Sequence, residues 1–129
     1  MRSNGNPEYI GRCALFEENQ KEIVYASYLI RGRLKETSTL RAAFIRDIIS
    51  FPTYRSVVIK QARTTAGNYN INTQGLKSFK IIQPSLKEQD RYLNFKKAIV
   101  KRIQNQSSYL QESENLFNSL LQRAFRGEL

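Results

Sequence analysis

The stretch that decides the fold is "KIIQPSLKEQDRY", residues 80–92. It passes from a short apolar run through Pro84 into a mixed pattern of apolar and polar residues. The apolar run ends the segment 76–84, which predicts a strand because aromatic and β-branched residues precede a proline. Between Ser85 and Gly127 the sequence has neither Gly nor Pro, and this predicts one uninterrupted helix.

Apolar side chains recur along this helix at steps of three or four residues. About 40 residues at about 1.5 Å each make a helix of roughly 60 Å. Such a helix is too long to bury its apolar stripe on so small a body, so residues 84–129 predict a coiled-coil spacer or dimerisation arm. The alternative is a helix that folds back on its own body. The residues expected to pair helices are Phe95, Ile99, Ile103, Leu110, Phe117, Leu120 and Ala124.

Residues 1–83 predict the body of the protein. Residues 10–16 and 23–34 are rich in Ile, Val and Tyr, and they predict two strands joined as a hairpin by the polar turn 17–22. Cys13, in the first of these strands, is expected to be a small buried side chain.

The period of the apolar residues then changes to that of a helix. Residues 37–51 predict one helix, with Ser38 or Thr39 as its N-cap, and Pro52 ends it. Residues 53–62 predict a second helix, and the polar stretch 63–75 predicts a loop. The expected fold is α+β, a small mixed β-sheet body with packed helices, followed by one long C-terminal coiled-coil helix.

The charge of the chain predicts a polyanionic partner. The 129 residues include 21 basic and 11 acidic ones, for a net charge of +10. Residues 31–80 alone hold ten basic and two acidic residues, so +8 lies in the middle of the chain. A surplus of this size favours nucleic acid. The alternative is a solvated basic surface without a nucleic-acid partner.

Several classes of site are excluded by composition. The sequence has no His and a single Cys, which excludes a zinc site of Cys/His type and a Ser–His or Cys–His pair. The acidic residues are scattered rather than clustered, unlike those of a metal-dependent nuclease. No cofactor is therefore expected. The lone Cys and the lack of a long apolar run predict a cytoplasmic protein without a membrane partner.

A methyltransferase is excluded as well. "NPEY", residues 6–9, is similar to the N-P-P-Y motif of amino-methyltransferases, but Glu8 replaces a proline. No Gly-rich loop lies between a strand and a helix to hold a methyl donor. The chain is therefore not expected to be an enzyme.

The link at Pro84 resembles that of a known family, the DNA specificity subunits of type I restriction–modification systems. In that family a target recognition domain leads through a P-P-L-x-E-Q link into a long conserved helix. Here Pro84, Leu86, Glu88 and Gln89 match, and Ser85 stands where the family often has a second proline.

Three further stretches resemble the same family. "RSNGNPEYIGRCAL" (2–15) is similar to a segment of the recognition domain, "AGNYNINTQGLKSFKI" (66–81) to its last loop and strand, and "LLQRAFRGEL" (120–129) to the end of the helical region. The resemblance implies the C-terminal part of one target recognition domain, residues 1–83, and one conserved helix, residues 84–129. A complete family subunit has two of each.

The resemblance also implies the partners. The body would recognise double-stranded DNA without catalysis, within a methylation and restriction complex of bacterial defence. The helix would pair with a second helix, from another copy of this chain where the subunit is incomplete, and would dock methyltransferase subunits, with the restriction subunit as a further candidate. The alternative is a structural or regulatory coiled-coil protein without DNA specificity of its own.

The residues expected to contact DNA are basic, amide, hydroxyl or aromatic side chains of the body. Arg reads guanine and Asn reads adenine in a bidentate way, while Lys and Arg also bind phosphates. The same residues could instead form solvated turns and a charged strand edge. They are Arg2, Asn4, Asn6, Arg31, Arg33, Lys60, Arg63, Thr64, Thr65, Asn68, Tyr69 and Asn70.

Overall fold

The computed structural model describes residues 1–16, 24–65 and 67–129. The chain divides into two compact units, Met1–Gln89 and Asp90–Leu129. The first unit contains the sheet, the shorter helices and the hydrophobic core, while the second consists mainly of one long helix.

The sheet has three short strands, β1 (Asn4–Gly5), β2 (Arg63–Thr65) and β3 (Asn68–Asn70). Their order is β1-β3-β2, and both pairs are antiparallel. Gly67, just before β3, has a φ of 79°, in the left-handed region that favours glycine. These strands, together with the helices, confirm the predicted α+β class.

The described residues of the first unit that precede the long helix form the helices α1 (Ala42–Ser50), α2 (Arg55–Gln61) and α3 (Thr73–Lys77), and a 3-10 turn at Pro52–Tyr54. The predicted helices over 37–51 and 53–62 are therefore confirmed in their place along the chain. The break between them falls at Pro52, as expected, because the residue before a proline avoids the helical conformation.

The start of the first helix differs from the prediction. Its N-cap is Arg41, whose side chain makes no capping hydrogen bond, so the assignment of the cap to Ser38 or Thr39 is wrong. The hydroxyl of Ser38 accepts a hydrogen bond from the backbone N of Leu40 at 3.2 Å instead. Ser38 thus stabilises the turn before the helix, three residues short of the cap.

A small hydrophobic core holds the first unit together. Its buried members are Ile10, Ile49, Val58 and Ile71, which come from the N-terminal loop, α1, α2 and the residue after β3. These residues lie far apart in the sequence, so the core forms only when all four segments meet. Partly buried side chains pack around it, among them Met1, Cys13, Ile45, Tyr54, Ala62, Tyr69, Leu76 and Phe79.

The predicted strand over residues 10–16 is wrong. Asn6 begins a turn in which its carbonyl accepts hydrogen bonds from the backbone N of Tyr9 and of Ile10, each at 3.1 Å. Gly11 follows with a φ of 76°, which an extended strand does not allow. Gly11 and Arg12 then hydrogen-bond the backbone of Arg2 rather than a neighbouring strand of the sheet.

The second predicted strand is only partly within the described residues. The turn 17–22 and Ile23 lie outside them, so the proposed hairpin is not described. From residue 24 to 34 there is no regular strand, and an isolated bridge joins Leu29 to Arg2. Backbone hydrogen bonds also join Ser3 to Tyr28 and Met1 to Ile30, so this segment lies along the N-terminal residues without forming a regular strand.

Residues 76–84 do not form the predicted strand either. Leu76 and Lys77 end α3, and the following residues are irregular. Tyr54 explains this path, because its hydroxyl donates to the carbonyl of Lys80 at 2.9 Å and its ring meets Phe79 edge to face. The segment therefore packs on the helix pair, and its backbone does not join the sheet.

The stretch 63–75, predicted as a loop, is instead a hairpin followed by a helix. β2 and β3 occupy its first half, and α3 begins in its second half. The side chain of Asn72 caps α3, accepting a hydrogen bond from the backbone N of Gly75 at 2.8 Å. The Asn and Thr residues that suggested a loop serve here as short-strand and capping residues.

The long helix is confirmed. Helix α4 runs from Leu86 to Phe125, a length of 40 residues. Glycine follows its end at Gly127, with a φ of 72°. Among the described residues no helix has both the length and the apolar character that crossing a membrane requires.

Candidate nucleic-acid interface

The register of the sheet places three candidate residues side by side. Asn4 of β1 lies opposite Asn70 of β3, and Asn70 lies opposite Arg63 of β2. Residues directly opposite in an antiparallel pair point to the same face, with their β-carbons about 4.5–5.5 Å apart. The three side chains therefore form a row across the sheet, which we call the polar row (Asn4, Asn70, Arg63).

The two faces of the sheet differ in exposure. All three members of the polar row are exposed, and so is Asn68, which shares their face because it lies two residues from Asn70. Tyr69 points the other way, is half-buried and packs against the core. The sheet thus anchors itself with Tyr69 and presents an Arg and Asn surface on its outer face.

The remaining candidates of β2 are arranged by the same alternation. Thr64 lies opposite Tyr69 and is exposed, so it belongs to the other face from the polar row. Thr65 is paired with Asn68 at the end of the hairpin. Of the sheet residues predicted to contact DNA, the structure therefore brings Asn4, Arg63, Asn68 and Asn70 together, on one face.

Arg2 is engaged within the fold. Its guanidinium lies 5.1 Å from the ring centre of Tyr9 and 5.4 Å from that of Tyr28. Its Nε donates to the carbonyl of Asn4 at 2.9 Å. Cation–π contacts and this hydrogen bond hold the backbone of β1 in place, so Arg2 orients Asn4 from behind.

Asn6 is also engaged. Its Oδ1 accepts hydrogen bonds from the backbone N of Glu8 and of Tyr9, each at 3.1 Å. This is the Asx turn that its residue type favours. The turn is fixed from the other side by Arg55, whose guanidinium donates to the carbonyls of Pro7 and Ile10.

Three other candidates lie outside the polar row. Arg31 and Arg33 are exposed in the irregular segment after Leu29. Lys60 is exposed in the last turn of α2, three residues before Arg63. None of these three residues belongs to a strand of the sheet.

The polar row combines the side chains that read base edges with a shape suited to a groove. Arg and Asn make paired hydrogen bonds to guanine and adenine. Three strands spaced by about 4.8 Å give a ridge about 10 Å across, against a major groove about 12 Å wide. In the described part of the chain no group of three or more His, Cys, Asp or Glu residues could hold a metal ion.

The sequence identified the residue types of the row but not their arrangement. Nothing in the local pattern shows that residue 4 lies beside residue 70, because that pairing is a tertiary contact. Two glycines in the sequence could have indicated short strands here: Gly67, which suits a tight hairpin turn, and Gly5, which follows Asn4 and has a φ of 133°.

Three polar residues of the link into the long helix, Ser85, Glu88 and Gln89, make hydrogen bonds that hold the link in place. Ser85 and Glu88 form a capping box: the carboxylate of Glu88 accepts from the Ser85 hydroxyl at 2.7 Å and from its backbone N at 2.9 Å. The hydrogen bonds from Ser85 lower the pKa of Glu88. Gln89 is fully buried and hydrogen-bonds the backbone of Thr39, Arg41 and Pro84.

The one cysteine, Cys13, is partly shielded from solvent, and this raises the pKa of its thiol. Cys13 is half-buried and packs beside the core, so the prediction of a small buried side chain holds only in part, and its thiol donates to the carbonyl of Gly11 at 3.3 Å. Burial raises the pKa of this thiol, although the positive charge of Arg46 opposes the shift. The neutral thiol is thus favoured at neutral pH.

The residues expected to pair helices line α4 and are exposed. Phe95 is 65% exposed, and Phe117 is 64% exposed, which are high values for such large apolar side chains. The stripe also includes Ile99, Ile103, Leu110, Leu120 and Ala124, all exposed. An apolar stripe of this length on a water-soluble helix is typical of an interaction surface.

The comparison with known proteins gives the class: the chain is homologous to specificity subunits of type I restriction enzymes, as its link predicted. It is 32% identical over 136 aligned residues to the EcoKI specificity subunit of Escherichia coli strain K12, covering 99% of this chain. It is 27% identical over 136 aligned residues to the StySPI specificity subunit of Salmonella potsdam, covering all of this chain.

The match covers only part of each relative's length. The chain spans 28% of the length of each of these two curated specificity subunits. It therefore corresponds to a segment of a type I restriction enzyme specificity subunit. No protein-family model matches the chain, and no solved structure matches it.

Proposed function

We propose that this chain is a non-catalytic DNA-recognition segment of a type I restriction–modification system. The observation that carries the proposal is the polar row, an exposed line of Asn4, Asn70 and Arg63 held on a sheet whose other face is anchored by Tyr69. Homology to two specificity subunits supports the same role. Catalysis would reside in other subunits of the complex.

In this proposal residues 1–83 read the DNA. The polar row enters the major groove, with Arg63 hydrogen-bonding guanine and the two Asn amides hydrogen-bonding adenine. Asn68 extends the same surface toward the hairpin turn. Arg31, Arg33 and Lys60 bind phosphates around the groove and fix the position of the row without reading sequence.

Residues 84–129 act as the spacer and docking arm. The exposed apolar stripe would pair with the corresponding helix of a second copy, or of another part of a complete subunit. Methyltransferase subunits would dock on the same arm. The stripe supports this role because burying it would remove several large apolar side chains from water.

The experiment that tests DNA reading starts with selection of bound sequences from a random duplex library. Arg63→Ala and Asn70→Ala are then measured on the selected site by fluorescence anisotropy. Each lost bidentate contact should cost about 1–3 kcal/mol, roughly 5- to 150-fold in affinity, and should relax preference at one position. Asn118→Ala, an exposed amide on α4, is the control and should change nothing.

The same experiment has an outcome against the proposal. If the selected library remains random, or if both sheet variants bind the selected site as well as the parent chain, the polar row does not read bases. The alternative function, a structural coiled-coil protein, would then be favoured by the exposed stripe.

Light scattering during size-exclusion chromatography tests the arm. The chain is run alone and with the methyltransferase subunit of its own system. A dimer or a stable complex supports pairing and docking, and Phe95→Ser with Phe117→Ser should abolish it. A monomer that ignores the methyltransferase would contradict the role assigned to residues 84–129.

A further inference from the structure

Between Arg91 and Gln122, the charges of α4 are divided between two consecutive parts of the helix. Residues 91–102 contain five basic residues and no acidic one, and we call them the basic segment. Residues 103–122 contain two acidic residues and no basic one. The basic residues are Arg91, Lys96, Lys97, Lys101 and Arg102, and the acidic ones are Glu112 and Glu114.

Four cations of the basic segment share one side of the helix. At about 100° per residue, Arg91, Lys97, Lys101 and Arg102 fall within an arc of about 140° and a length of about 17 Å. All four are exposed. Lys97 and Lys101 lie on the side opposite to the apolar stripe, so they stay accessible when the stripe is covered.

Solubility alone does not account for this division. Residues 103–122 are all exposed, and they are kept soluble by 11 Ser, Asn and Gln residues with only two charges. The basic segment has only Asn94 of these three residue types. A helix that required only solvation could use the uncharged residues throughout, so the local charge indicates a partner.

We propose that the basic side of α4 (Arg91, Lys97, Lys101, Arg102) binds the phosphate backbone of double-stranded DNA. It forms a second DNA contact, independent of sequence and separate from the polar row. The inference rests on the proposed DNA-recognition function and extends it to the arm. Asp90 lies just before this segment and, at about 100° per residue, falls between Lys97 and Lys101 on the same side of the helix. The four cations of that side outnumber this one carboxylate, and a polyanion complements their surplus of positive charge.

A second copy of the chain is the rival occupant. In an antiparallel helix pair the basic segment would approach Glu112 and Glu114 of the other copy. Those two carboxylates could offset at most two of the five positive charges. The surplus favours DNA, whose charge density along the duplex is much higher.

The property that separates phosphate binding from base reading is its dependence on salt. Each phosphate contact releases a counterion and adds about 0.9 to the slope of log affinity against log salt concentration. Removing such a contact weakens binding to all sequences alike, whereas removing a base contact changes preference.

The test uses the full chain and a random-sequence duplex, with binding measured by anisotropy between about 50 and about 200 mM salt. The double variant K97Q/K101Q should lower the slope by about 2 and leave the sequence preference unchanged. The control R123Q/R126Q removes the same charge near the end of the chain and should leave the slope unchanged. Circular dichroism should show equal helix content in all three proteins.

The outcomes distinguish the two proposals. An unchanged slope in K97Q/K101Q overturns the inference, even where Arg63→Ala and Asn70→Ala confirm base reading. A lowered slope with unaltered preference in the sheet variants supports the inference and overturns the polar row. If K97Q/K101Q loses dimerisation in light scattering while keeping its slope, the second copy is the occupant and the inference is wrong. If the parent chain shows no salt-dependent binding, both proposals fail.

Discussion

Gln89 and Arg41 are joined by a hydrogen bond of 2.8 Å, donated by the backbone N of Arg41 to Oε1 of Gln89 across 48 positions of the chain. Nε2 of the same amide donates to the carbonyl of Thr39 at 2.9 Å and to that of Pro84 at 2.8 Å. One buried side chain thus holds the start of α1 against the start of α4.

Gln89→Ala should destabilise the first unit strongly. The substitution removes the hydrogen bonds that the Gln89 side chain makes with the N–H of Arg41 and the carbonyls of Thr39 and Pro84, all of them partly buried. A buried polar group left unpaired costs about 1–3 kcal/mol, and partial access of water places each of these three near the lower end, so we expect a loss of about 3 kcal/mol in the free energy of unfolding. Urea unfolding followed by tyrosine fluorescence measures it.

Gln104→Ala provides the control for this substitution, because Gln104 is an exposed residue of α4. It should leave the free energy of unfolding within about 0.5 kcal/mol of that of the parent chain. Equal stabilities for Gln89→Ala and Gln104→Ala would show that the hydrogen bonds of Gln89 do not contribute to the free energy of unfolding.

Gly11→Ala should also destabilise the protein. Gly11 has a φ of 76°, and a β-carbon there would overlap Cγ1 of Val58, a buried core residue. Left-handed backbone and overpacking together should cost about 3 kcal/mol. Gly32→Ala is the matched control, because no atom lies within 4 Å of a β-carbon at that position. A Gly11→Ala protein as stable as Gly32→Ala would contradict the packing described.

The capping box predicts a loss of stability in acid. The pKa of Glu88 is lowered from its ordinary value of 4.5 by hydrogen bonds from Ser85. The stability that the ionised Glu88 carboxylate contributes is therefore complete above its pKa in the unfolded chain. It is lost as the pH falls through the lower pKa that Glu88 has in the folded protein. Glu88→Ala should be less stable than the parent chain at neutral pH, and the difference should shrink in acid. A difference in stability that stays constant with pH would rule out the carboxylate as its source.

Cys13 should react slowly with thiol reagents in the native protein. Burial raises its pKa above the ordinary value of 9.0 and also restricts access to the sulfur. Labelling with a disulfide reagent at neutral pH should be slow, and it should become fast in denaturing urea. Rapid stoichiometric labelling without denaturant would show that the N-terminal loop does not pack as described.

Helices α1, α2 and α4 could be predicted from the sequence, whereas the short helix α3 and the strands could not. Helices α1, α2 and α4 carry a repeat of about 3.6 residues over seven or more positions, with Pro52 and Pro84 as boundaries. The strands have two or three residues each, too few for any alternation to be recognised. The Ile- and Tyr-rich stretches looked like strands because residues that fill a core resemble those that favour a sheet.

The candidate site was predictable in composition only. Residues such as Asn70 and Arg63 have suitable chemistry wherever they stand, and turns favour the same types. Their positions side by side require β1 to pair with β3, and this pairing forms only when the whole first unit folds. Arg2 shows what the sequence does not reveal, since its half-buried guanidinium lies on the exposed rings of Tyr9 and Tyr28.

The alternation of β3 has a consequence for how such a surface changes over generations. Tyr69 alone ties the middle of that strand to the core, while Asn68 and Asn70 on either side face outward. Substitutions at the outward positions escape the selection that preserves folding. If the polar row reads DNA as proposed, a new target preference arises there by single codon changes, with the scaffold inherited intact.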